Sequence, residues 1–455
     1  MSDTTMVLRT QLGLLQNGQS IYRKGLDLNE DNQIMGDEVL DLDDNGEVTD
    51  SEAWYFLGRN YGNISLEIVN PILQSIINNL THIGDLNSEE ESFLSNNLWR
   101  MPQPIKESIV HVIINDLRCS DFDIKISALS FLYIYLGSDI RNTDVAEVLL
   151  PEILSLLEDS NAQIRRRALS VLSKDAFKRP EHLEIYKRML QDAEAIVREQ
   201  AIFSFLEFNN YFIEFTAAER NEYFAIMVNL SDDGSPNVRA AAVGSFEWNW
   251  IIYDQKVKEV IPKLIEMANS DPFEWVRAQT FSILGHIANA HFDIRGQILP
   301  TLLAALKNRN QSTREWASHA LYDLYHDPTC CHTLDEEVVK ELISMIISGE
   351  RGQREALETV SNMDTYDFAK LSNNIAEKLY KALKKVVKDY PNLRHEAAWA
   401  LIILWRSRPE LQEQIINFLG RYKNNNLLRE LFCNYPDTRG ALGISDETCI
   451  DIVGF

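Results

Sequence analysis

The chain has 455 residues, 68 of them acidic against 44 basic, for a net charge of −24. A surface that acidic repels phosphate backbones and excludes nucleic acid as a partner. At 45% apolar and 25% charged residues it reads as a folded protein, too long for one compact core, and no apolar run approaches the ~20 residues of a membrane span.

The first region is 1–62. Met1 to Gly18 lacks a basic start, a continuous apolar stretch and a small-residue cleavage site, which predicts no secretory signal. Segment 27–52 then carries eleven acidic residues and no basic one. Within it, Asp41-Leu-Asp43-Asp-Asn45-Gly46-Glu47-Val48-Thr49-Asp-Ser-Glu52 sets oxygen donors at alternate positions. Calcium takes six to eight oxygens at ~2.4 Å, which a tight loop of that pattern delivers. The string resembles the calcium loop of the EF-hand family at every defining position. The resemblance implies side-chain ligands from Asp41, Asp43 and Asn45, the backbone carbonyl of Glu47, Thr49 directly or through water, and both oxygens of Glu52. Gly46 permits the sharp turn, and Val48 is expected to point inward. Asp27, Asn29, Asp31, Gln33 and Glu38 fill the corresponding places one copy earlier, with Asn32 where glycine is expected. The loops start 14 residues apart, leaving one helical turn between them rather than two helices. The expected region is therefore a helix ending near Arg23, two loops and an exit helix from about Ser51 through Trp54 to Tyr61. Bound Ca2+ is read as folding this cap rather than as a sensor, which needs two helices free to open.

Residues 63–102 read as two capping helices, 63–83 and 87–97. A repeated string occupies 103–408: an apolar residue, a basic residue, then an apolar pattern of helical period. Its copies are Ile124-Lys125, Ile164-Arg165, Val197-Arg198, Val238-Arg239 and Val276-Arg277, with weaker ones at Thr313-Arg314, Gln353-Arg354 and Leu393-Arg394. The basic residues are 40, 33, 41, 38, 37, 40 and 40 positions apart. With the basic residue as position zero, −1, +3, +4 and +7 are mostly apolar and form one helix face. Asp159, Asp192, Asp233 and Asp271 each sit six positions earlier, in the turn before the second helix, where they can pair with arginines stacked along the array. These features resemble the HEAT-repeat family over roughly 103–406. The resemblance implies an all-α solenoid of eight helix pairs that binds other macromolecules, usually proteins, along its inner surface. First helices are expected at 103–117, 143–157, 181–191, 217–230, 255–269, 294–307, 334–348 and 367–388. Region 409–455 reads as a closing pair at 409–434 and a tail without clear period.

Positions +2, +5 and +9 lie opposite the core face of each second helix. Aromatic residues recur there: Phe203, Trp248, His286, Trp316 and Trp399. They either meet a partner or pack between neighbouring repeats, and an acidic surface with an aromatic strip points to a basic protein or peptide. The main reading is thus a scaffold or adaptor, with a dedicated toxin-neutralising inhibitor as the alternative. Enzymatic relatives with helical repeats are deoxyhypusine hydroxylase and the bilin lyases. Arg394-His395-Glu396 resembles the hydroxylase motif, but its other places read Arg-Glu at 198–199, 314–315 and 354–355, without the histidines two irons need. No catalytic motif is present, so no enzyme is predicted. The five cysteines, Cys119, Cys330, Cys331, Cys433 and Cys449, are scattered and outside zinc spacing, and read as free thiols in a reducing cytoplasm.

Overall fold

The computed structural model describes residues 3–12, 14–16, 19–20, 48–61, 63–64, 66–136, 143–177, 179, 182–212, 216–247, 254–325, 336–349, 352–363 and 365–444. They fall into two compact units, Met1–Glu214 and Phe215–Phe455. The division comes after the third repeat.

The first unit opens with α1 (Asp3–Gln11), followed by two-residue strands β1 (Leu15–Gln16) and β2 (Gln19–Ser20) paired antiparallel. This corrects the helix expected to end near Arg23: α1 stops at Gln11, and a short hairpin follows. Next come α2 (Asp50–Asn60), α3 (Leu66–Asn79) and α4 (Ser88–Asn97). Thr49 and Glu52 start α2 as a reciprocal capping box, and Asn87 and Glu90 do the same for α4.

Three repeats complete the unit. They are α5 (Gln103–Arg118) with α6 (Phe122–Phe131), α7 (Thr143–Leu156) with α8 (Ala162–Leu172), and α9 (Leu183–Met189) with α10 (Ala195–Phe212). First helix packs on first helix from α5 to α7, and second on second from α6 through α8 to α10. Asp121 and Asn161 cap α6 and α8 with their side-chain oxygens. Beyond α6 the chain widens into a π-helical turn, Leu132–Leu136.

The second unit repeats the pattern five times. Its first helices are Ala217–Leu230, Ile261–Ser270, Arg295–Ala305, Glu336–Ser348 and Asn373–Asp389. Its second helices are Pro236–Gly244, Glu274–Ala290, Gln311–Tyr325, Gln353–Ser361 and Arg394–Ser407. Two local departures stand out. An extra helix, Thr365–Lys370, precedes the last pair, and Pro436–Ala441 is helical where the sequence suggested a tail. Gly352 turns the chain into repeat seven at φ +92°, and a Cβ there would run into the Leu306 carbonyl oxygen. Only glycine satisfies both demands.

The turns between paired helices share one bonding scheme. Arg165 donates to both carboxylate oxygens of Asp192 in the next repeat, at 2.9 and 2.7 Å. Arg239 holds Asp271 in the same way at 2.8 and 3.0 Å, and Lys125 reaches Asp159 at 2.8 Å. Five of the position-zero arginines, Arg165, Arg198, Arg239, Arg277 and Arg314, also donate back to the carbonyl six residues before them. Arg165 reaches Asp159 O at 2.8 Å, Arg198 reaches Asp192 O at 2.7 Å, and Arg277 reaches Asp271 O at 2.6 Å. The aspartates close their own turns by accepting the N–H two residues on, for example Glu194 N to Asp192 at 2.8 Å. Burial alone would raise the Asp192 carboxyl, but the bonds from Arg165 and from Glu194 N hold it below the usual carboxylate value. Repeat six keeps the scheme with other residues: Asn308 closes the turn, and Glu355 of repeat seven accepts from Arg314 at 2.9 Å.

The cysteine expectation divides. Cys119 is a free, half-buried thiol. Cys433 is disulfide-bonded, its partner lying outside the described residues. The free-thiol reading fails at Cys433. Among the described residues no helix is long and apolar enough to cross a membrane.

Candidate functional site

With their core face packed inward and their ends fixed by the turns, the second helices leave one face free. In the first unit this face carries a cavity of 290 Å³ spanning α6, α8 and α10. Phe122, Ile126 and Tyr133 line one side, Gln163, Arg166, Arg167 and Ser170 the floor, and Gln200 the other. Tyr133 belongs to the π-helical turn. Lys174 Nζ stands 4.0 Å from the centre of its ring, and the Arg167 guanidinium 5.7 Å. Phe203 lies on α10 and is 45% exposed, as its +5 position predicts.

In the second unit Trp316 is 43% exposed, with the His319 ring 6.0 Å away. His286 is mostly covered, its Nδ1 3.2 Å from a Glu247 oxygen. Trp399 is half-buried and packs on Tyr435 at a ring separation of 4.6 Å, which makes it a packing residue against the closing helices. Trp248 lies outside the described residues. The five sequence candidates thus divide: Phe203 and Trp316 face solvent, while His286 and Trp399 are engaged by neighbouring elements.

Sequence reasoning missed Phe122, Phe273 and Trp275. Phe273 and Trp275 pack together at 5.0 Å and are both exposed. These three sit at −3, −4 and −2, in the turn and first helical turn, before the stretch searched for aromatics. It also missed Arg166 and Arg167, because the repeat string drew attention to Arg165. Two further arginines beside a structural one were the available signal.

The calcium loops are described only at their end. Asp27, Asn29, Asp31, Gln33, Glu38, Asp41, Asp43, Asn45 and Glu47 lie outside the described residues. Val48 is buried, and its carbonyl accepts from Arg9 of α1 at 3.0 Å. Glu52 accepts from Thr49 N and from Thr49 Oγ1, both at 2.8 Å. These bonds make Glu52 the N3 half of the capping box that starts α2. A second cavity, of 550 Å³, opens beside this helix between α2 and α4, lined by Trp54, Tyr55, Arg59, Ser92 and Asn96 among others.

No family model matches the chain, and no curated protein matches its sequence. Solved structures do match in shape. The Kap95:Nup1 complex aligns over 99% of this chain and 62% of the matched one, at 11% identity and a TM-score of 0.63. The fold is a HEAT-type α-solenoid, the fold of the karyopherins. Kap95p bound to RanGDP aligns over 89% of this chain and 58% of the matched one, at 13% identity and a TM-score of 0.56. Kap121p bound to Nup53p aligns over 89% and 44%, at 14% identity and a TM-score of 0.52. The chain spans less than two thirds of the length of these neighbours, and at such identities the likeness is one of fold alone.

Proposed function

We propose that this chain is a protein-binding scaffold rather than an enzyme, holding a protein or peptide partner on the free faces of its second helices. The carrying observation is Trp316, a large aromatic left 43% exposed on a face that the helix core does not need. A buried aromatic anchor in a partner pocket contributes ~2 kcal/mol or more, whereas an exposed one contributes little to folding. The neighbours solved with Nup1, RanGDP and Nup53p use the same fold to hold proteins, which supports the reading. The net charge of −24 favours a partner that is basic overall. The test is paired: Trp316→Ala is expected to weaken a partner captured from the native host by ~10-fold or more while leaving the melting temperature near wild type. Unchanged affinity in that variant would overturn the reading.

We propose also that the loop 41–52 binds calcium and fixes the cap against the first repeats. The buried Val48 and the Thr49–Glu52 capping box support it, since both stand where an EF-hand-like loop would put them. Calcium binding only the folded state would add ~2.7 kcal/mol of stability at a hundredfold excess over Kd. Calorimetry is expected to lose a site in Asp41→Ala with Glu52→Gln, the glutamine oxygen still being able to cap Thr49. An unchanged calcium isotherm in that double variant would refute the ligand set.

A further inference from the structure

The first unit carries cations that the fold does not use. Three arginines follow one another on α8, and their surroundings differ sharply. Arg165 is consumed by Asp192 and by the carbonyls of its own turn. Arg166 and Arg167 form no ion pair among the described residues, and both line the 290 Å³ cavity. They stand side by side on one helix of a chain that has 68 acidic residues.

The walls around them suit a ligand. Arg167 is held beside the face of Tyr133, and Lys174 stands over the same ring. The π-helical turn carries Tyr133 into the cavity wall, and such turns are frequent at functional sites. Gln163 and Gln200 bring uncharged amides to the rim. Phe122 lines the cavity, Phe203 follows Gln200 by three positions on α10, and both are exposed. A guanidinium presents a planar fork that matches a carboxylate with two parallel bonds, and two of them side by side match a short run of acidic side chains.

We propose that this cavity binds an acidic peptide segment of the partner protein, with glutamate or aspartate carboxylates on Arg166 and Arg167 and an apolar neighbour against Phe122 or Phe203. The proposal rests on the scaffold reading and sharpens it. A partner that is basic overall would present an acidic stretch to this cavity.

The experiment uses the full-length chain and three fluorescein-labelled twelve-residue peptides of identical apolar spacing, carrying Glu, Gln or Lys at the charged positions. Anisotropy titration is expected to show the Glu peptide binding ~10-fold or more tighter than the Gln peptide, and the Lys peptide not at all. Added salt weakens the Glu peptide, because the contact is charge on charge. Arg166→Gln with Arg167→Gln is expected to bring its affinity down to that of the Gln peptide. Arg166→Lys with Arg167→Lys, which keeps the charge and removes the fork, should fall between. Both positions reach the surface, so the variants are expected to melt with the wild type. Trp316→Ala should leave the peptide affinity unchanged, so failure here and failure of the scaffold reading register separately. No binding of the Glu peptide at millimolar concentration, equal binding of the Lys peptide, or wild-type affinity in the glutamine double variant would each overturn the proposal.

Discussion

The turns and the free faces of the second helices follow opposite rules, although both belong to the same helices. At four turns a basic residue at position zero meets an acidic residue of the next repeat: Lys125 with Asp159, Arg165 with Asp192, Arg239 with Asp271, Arg314 with Glu355. The free faces share no such rule. One carries arginines and a tyrosine, another a lone tryptophan, another a tryptophan stacked on the closing helices. What repeats holds the array together, because each repeat must dock on the next in the same way. What varies is released from that duty.

The largest effect that could break this comparison lies in the turns. Asp271 is nearly buried, closes its own turn and takes both bonds from Arg239. Asp271→Ala leaves the guanidinium without its partner and should cost about 3 kcal/mol, read as a fall in the urea midpoint. By contrast Arg354, bonded to Glu358 one turn away on an exposed face, should cost under about 0.5 kcal/mol when replaced by alanine. Similar losses in both variants would mean that the turn bonds carry no special weight.

A smaller effect separates the two tryptophans. Trp399→Ala removes a half-buried ring from Tyr435 and should cost about 2 kcal/mol, whereas Trp316→Ala should stay within about 0.5 kcal/mol. Comparable losses would place Trp316 among the packing residues.

Acid should loosen the turns. Asp159 and Asp192 have carboxyls lowered from 3.8 in the fold, against burial, by the bonds from Lys125 and Arg165. A carboxyl lowered on folding gives stability that is present above its unfolded value and is lost as pH falls through its folded value. The melting temperature should therefore fall below about pH 4, and less in Asp192→Asn, which has one such group fewer. An equal acid shift in that variant would exclude Asp192 as a contributor.

The fold was legible because its signal is periodic and local. Predicted and observed first helices agree closely at 217–230 and 143–156, where an apolar face recurs at helical spacing. Position −6 aspartates announced the ladder, including its reach into the next repeat. Glu355 was not legible beforehand: it serves repeat six from the first turn of the second helix of repeat seven, and that partnership exists only across the packed helices. Trp399 shows the same limit: its +5 position faces away from its own core, and only the closing helices, bringing Tyr435, cover it. Arg166 and Arg167 were visible as residues, but that neither meets a carboxylate among the described residues is a property of space.

Those three consecutive arginines offer the most direct test of the division between turn and free face. The measurement is the urea midpoint of Arg165→Gln, Arg166→Gln and Arg167→Gln, each alone. Arg165 is 13% exposed and bonded to an Asp192 that is 10% exposed, so its loss should cost about 3 kcal/mol. Arg166→Gln and Arg167→Gln should each stay within about 0.5 kcal/mol of wild type. Equal destabilisation by all three would contradict the account, since it would make the free face as much a part of the fold as the turn.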